Sequence, residues 1–148
     1  MLVQILKTLF NRDLNRLKQE ISAYQTEEVI WHIEQGIANS AGNLCLHLVG
    51  NLNTYIGAEL GKTGYIRHRE LEFSLKNIPK AELIKKVEET ITVVNDALDT
   101  LLDEKLDEEY PMLVFDAKTT TGYFLVHLAT HLTYHLGQIN YHRRLLDM

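Results

Sequence analysis

The sequence predicts an all-α protein, a four-helix bundle, on two observations. Four long segments repeat apolar residues every three to five positions, the period of a helix with one buried face, and no comparable segment alternates like a strand. The only two prolines, Pro79 and Pro111, interrupt none of these interiors. A chain of 148 residues, 45% of them hydrophobic, suits a single domain over residues 1–148 with a core of its own.

The first helix is carried by Leu2, Ile5, Leu9, Leu14, Leu17 and Ile21. The second starts near Asn39 and Ser40, both good N-cap residues, and runs through Leu44, Leu48, Leu52 and Ile56 toward Gly57 and Gly61. The third opens at Pro79 as a first-turn residue and continues through Leu83, Val87, Ile91, Val94, Leu98 and Leu101. The fourth covers about Thr119 to Leu146. Residues 24–38 join the first two helices and include Trp31, a packing residue in a partial helix. Residues 58–78 form a long link that is expected to cross the end of the bundle and cover a site.

Charge and cysteine usage narrow the function classes. The net charge is −5, and residues 80–109 alone hold 10 acids and 4 bases. That run reads as a solvated helix face and loop, the remainder is close to neutral, and no basic stripe suggests a nucleic-acid partner. The opening MLVQILKTLF is soon interrupted by Lys7 and Arg12, so neither a signal peptide nor a membrane span is expected. The single cysteine, Cys45, allows no internal disulfide, reads as an inert core thiol, and suits a cytoplasmic protein.

Seven histidines are the unusual feature of the composition. His127, His131 and His135 follow one another at four-residue steps, which places neighbours on one helix face about 6 Å apart along the axis. Two imidazoles so placed can share a metal ion, but Leu128 and Leu132 stand where a zinc protease helix would carry its glutamate. Relative to His127, His131 lies about 40° and His135 about 80° round the helix, toward the Leu128–Leu132–Leu136 stripe. The favoured ligand pair is therefore His131 and His135, with His127 on the flank. His47 is the best third ligand, because it sits among Asn43, Gly50 and Asn51 beside an apolar stripe, as a polar cavity between helices requires. Asn51, one turn on, could orient a ligand or a water. Arg67 and Arg69 on the long link could hold an anionic substrate or the carboxylate of a thiol. Gly137 weakens its helix by roughly 1 kcal/mol relative to Ala, a cost that close approach of another helix would justify. The bland alternative is a set of surface or hydrogen-bonded structural histidines, the reading given to His32 and His142.

Three stretches carry a resemblance. NSAGNLCLHLVGN (Asn39 to Asn51) and HLTYHLGQI (His131 to Ile139) resemble the second- and last-helix motifs of the DinB/YfiT-like superfamily. IRHRELEF (Ile66 to Phe73) is similar to the R-x-R-E-x-E-F signature of one branch of uncharacterised small proteins in that superfamily. The resemblance implies a four-helix bundle with a three-histidine site for a divalent metal, nickel or zinc, and puts the ligands on His47, His131 and His135. It further implies a small-molecule substrate, a low-molecular-weight thiol as cosubstrate of an S-transferase, and a homodimer. A metal-dependent hydrolase and a non-enzymatic bundle, either a metal-binding stress-response module or a phosphotransfer domain, are the alternatives.

Overall fold

The computed structural model describes residues 1–148 and is all-helical, with five α-helices and no strand. They are α1 (Leu2–Ala23), α2 (Ala41–Leu52), α3 (Arg69–Ser74), α4 (Lys80–Asp99) and α5 (Thr121–Leu146). In α1 the buried set Leu6, Phe10, Leu14, Leu17 and Ile21 steps by three and four, so one stripe faces inward. α4 does the same through Leu83, Val87, Val94 and Leu98, with Pro79 as the extended residue just before its first turn. α1 packs along both α4 and α5, and a single cluster of 29 buried apolar residues fills the space between the helices.

α2 is different, because 11 of its 12 residues are buried. A helix covered on all sides is a core element, so each polar residue on it needs a partner or a purpose. Ser40 caps it, its Oγ accepting from Asn43 N at 3.1 Å. The helical path expected to reach Ile56 does so in two forms: the α-helix stops at Leu52 and a wide π turn spans Asn53–Ala58. Such turns recur at functional sites, since the extra residue re-aims side chains. Gly57 lets this turn lie close to α4, where an added Cβ would come 2.8 Å from Val93 Cγ1.

The two links take up definite structure. Residues 24–38 contain a 3₁₀ turn, Glu27–Trp31, that buries Ile30 and Trp31. The 58–78 link contains α3, which lies against α2. Asn43 fastens it there, its side-chain amide donating to the carbonyls of Glu72 (2.8 Å) and Leu75 (2.9 Å). No helix is long and apolar enough to cross a membrane.

His142 is a structural histidine. It is 7% exposed; Nε2–H donates to the His32 carbonyl at 2.8 Å, which leaves Nδ1 to accept from the Tyr24 hydroxyl at 2.7 Å. It therefore ties the end of α1 and the 3₁₀ link to α5. Replacing it, as in His142→Leu, strands a buried hydroxyl and a carbonyl, each worth about 1–3 kcal/mol. Urea denaturation should show a loss of about 2 kcal/mol or more; an unchanged midpoint would contradict this role.

Candidate metal centre

His47 comes from α2, and His131 and His135 come from successive turns of α5. The two helices pack together and bring the three imidazoles edge to edge. His131 Nε2 lies 3.2 Å from His47 Nε2 and 3.1 Å from His135 Nε2. All three ligand atoms fall within 4.8 Å of one another. The three histidines selected from the sequence are thus the three that the fold assembles.

What points the Nε2 atoms at each other is the bonding on the far side of the rings. His47 Nδ1 is 3.1 Å from Glu72 Oε1, and His135 Nδ1 is 2.7 Å from the side-chain oxygen of Gln138. Both oxygens accept, so both Nδ1 atoms carry the proton and both Nε2 atoms present a bare lone pair. Phe73, next to Glu72, packs on the His47 ring with centroids 5.1 Å apart. His131 Nδ1 has no partner, so no bond holds a proton there; with the His131 Nε2 also bare, three lone pairs converge and repel unless a positive centre lies among them. Four-coordinate zinc with Zn–N bonds of 2.0–2.1 Å separates its nitrogens by ~3.3 Å, close to the spacings found here. The donor set therefore fits a divalent ion that accepts imidazole, and zinc and nickel both do.

Glu72 is itself held in place. It is 6% exposed and receives Arg67 in a two-pronged ion pair, Nε to Oε2 at 2.8 Å and Nη2 to Oε1 at 3.0 Å. Burial works to raise its pKa, but the hydrogen bonds from His47 and Arg67 and the guanidinium charge outweigh it and hold the carboxyl below its usual range. Gly50, one turn beyond His47 on α2, makes room for this carboxylate: a Cβ there would stand 1.8 Å from Glu72 Oε2. Burial, helped by the neighbouring His135 and His47, lowers the His131 pKa to about 4. Burial also lowers that of His135, against the bond from Gln138. Both rings are thereby kept neutral, the state in which they can bind a metal.

A cavity of about 200 Å³ opens beside the triad. His47, His131, Asn51, Tyr55, Arg67 and Arg69 line it, together with His127 and an apolar wall of Val114, Phe124 and Leu128. Asn51 is 7% exposed and its side-chain oxygen meets no partner. The three residues expected to contact substrate are therefore gathered here, although Arg67 is engaged by Glu72 while Arg69 makes no ion pair and lies over the Phe73 ring. His127 stands one turn before His131, edge-on to Phe115 and outside the converging set. A larger hollow of about 560 Å³ borders His135 and Gln138 on the side of residues 34–39.

The family model described as "Protein of unknown function (DUF1572)" matches residues 2–148. The chain belongs to that family. No curated protein matches it. For this DUF1572 member, sequence reasoning overlooked Glu72 and Gln138. Gln138 follows His135 at helical spacing and was open to the same wheel argument. Glu72 reaches His47 only through the path of the link; the stretch IRHRELEF contains it, but nothing in that stretch pairs it with His47.

Two outcomes follow from this geometry. Gly50→Ala should expel the Glu72 carboxylate and weaken zinc binding about 10–100-fold with helix content unchanged. Competition against a chromophoric chelator reads the affinity, and an unaltered value would remove Glu72 from the account. The lowered values of His131, His135 and His142 share one sign, since an unfolded histidine takes up its proton near pH 6.5. Their contribution is complete above about pH 6.5 and lost on acidification, for His131 down through about 4. Metal-free protein should thus be less stable to urea at pH 5 than at pH 7.5; equal stability would contradict it.

Proposed function

We propose that this chain is a divalent-metal-dependent enzyme of the DinB/YfiT-like superfamily, a single-domain four-helix bundle with His47, His131 and His135 as metal ligands. The observation that carries this reading is the convergence of three Nε2 atoms, two of them aimed by outward Nδ1 bonds to Glu72 and Gln138. The reaction assigned to it is S-transfer from a low-molecular-weight thiol to a small electrophilic substrate. A zinc or nickel ion so held supplies positive charge that favours the deprotonated form of a thiol or water at neutral pH.

The chain's own residues supply the rest. His47 and His135 are locked in one tautomer by Glu72 and Gln138, so neither of these rings has to turn before it can bind. The 58–78 link brings Arg67 and Arg69 over the cavity, and Asn51 rises into it from α2. No Asp or Glu lines that cavity. A thiol, with an ordinary pKa of about 8.5, needs less help from the ion to ionise than water does, which favours the transferase over the hydrolase. The free, buried Cys45, whose pKa burial raises to about 12, suits a reducing cytoplasm and offers no competing nucleophile.

A homodimer is part of the same reading. α5 leaves Tyr123, Val126, Tyr134, Tyr141 and Leu145 exposed, and a Cβ on Gly137 in their midst would meet nothing within 4 Å. No contact within the chain explains that glycine, while a second helix approaching closely would.

Two experiments test these proposals. His47→Ala and His131→Ala should each abolish stoichiometric zinc or nickel binding measured by ICP-MS, and His127→Ala should not; retained metal in the His47 variant would sink the triad. Light scattering during chromatography should give twice the mass of 17.1 kDa for the native chain and one mass for Tyr134→Glu/Tyr141→Glu. A native monomer would refute the dimer.

A further inference from the structure

We infer that the cavity beside the triad is a subsite for a small oxyanion that also carries a hydroxyl or amide donor, with Arg69 holding the charge and Asn51 accepting from the donor. The inference rests on the metal-enzyme reading for what the anion is used for, but the cavity's own groups select it. Its lining includes two arginines and no carboxylate. The two arginines are not equivalent. Glu72 takes both prongs of Arg67, which leaves that pair neutral as a whole. Arg69 has no such partner: its guanidinium rests over Phe73, 5.3 Å from the ring centroid, with its charge unanswered. The triad's imidazoles bring no negative charge either. The one charge type missing from the cavity is therefore negative, and a guanidinium prefers a planar or tetrahedral oxyanion that it can grip by two N–H bonds.

Asn51 adds the second requirement. It is 93% buried by its 7% exposure, and its carbonyl oxygen has no hydrogen-bond partner in the chain. An orphan acceptor at that depth costs about 1–3 kcal/mol, so it calls for an O–H or N–H group entering the cavity. The π turn beginning at Asn53 keeps this stretch of chain from continuing as regular helix and places Tyr55 on the same cavity. Val114, Phe124 and Leu128 close the remaining side and fit an apolar body. A volume of about 200 Å³ limits that body to a ring or a short branched chain. The class is thus a hydroxy- or amide-bearing carboxylate, or a phosphoryl oxyanion with its own O–H.

The test uses mandelate as the probe, with phenylacetate lacking its hydroxyl and mandelamide lacking its charge. Each is titrated calorimetrically into the metal-free and the zinc-loaded full chain and into Arg69→Gln. Mandelate should bind both forms of the native chain more tightly than either control, and Arg69→Gln should weaken it at least tenfold without altering zinc stoichiometry. Asn51→Ala should abolish the advantage of mandelate over phenylacetate; if that variant fails to fold, the comparison of the two acids on the native chain decides the point. Equal binding of mandelate and mandelamide, or affinity unchanged by Arg69→Gln, would overturn the subsite. Zinc bound one to one with no Arg69-dependent anion uptake overturns this inference and leaves the metal reading standing. Arg69-dependent uptake by a chain that takes no zinc supports the subsite and overturns the metal reading instead.

Discussion

The hydrogen bond between His47 Nδ1 and Glu72 joins the fold of this chain to its chemistry. An imidazole that binds through Nε2 needs its other nitrogen occupied by an acceptor, or the ring is free to turn and the lone pair is not aimed. Here the acceptor comes from a different part of the chain, 25 residues on, and arrives because Asn43 fastens the link to α2 and Gly50 leaves a gap for the carboxylate. Arg67 holds the carboxylate from the other side. Remove any of these and the link has less reason to lie where it does. The long connection is therefore part of the site, and the order of α3 and the aim of His47 depend on each other.

The same bond sets the electrostatic character of the region. Glu72 cannot act as a counter-charge for the cavity, because Arg67 already neutralises it. Burial keeps the imidazoles of His131 and His135 neutral. What faces the cavity is a set of neutral donors beside the unpaired Arg69. On the proposed function, such a surface would take a metal cation through lone pairs at one end and an anion through a guanidinium at the other, so that a metal-activated group and an anionic molecule meet without like charges side by side.

Much of this was legible in the sequence. The period of apolar residues located α1, α4 and α5 within one or two residues, since each has one buried stripe. Four-residue spacing put His131 and His135 on one face, and the wheel separated them from His127 because the latter turns away from the leucine stripe. His47 stood out because it sits among Asn43, Gly50 and Asn51 beside an apolar stripe, and α2 is the most buried helix of the chain. The details that escaped were those in which distant residues meet. Nothing local marks Glu72 as the partner of His47, or assigns Arg67 to Glu72 and Arg69 to the cavity, although the two arginines are only two positions apart. The π turn at Asn53–Ala58, which lies against α4, was equally hidden, because its residues continue the helical period.

The measurement that bears most directly on the central claim is X-ray absorption at the metal edge of the zinc-loaded chain. Three imidazole nitrogens, those of His47 and His135 pointed by their outward Nδ1 bonds, should give a first shell at about 2.0–2.1 Å with the multiple scattering of three histidine rings. Glu72→Gln should keep the shell but weaken the affinity. A spectrum dominated by oxygen ligands, or one that requires a single histidine ring, would contradict the account.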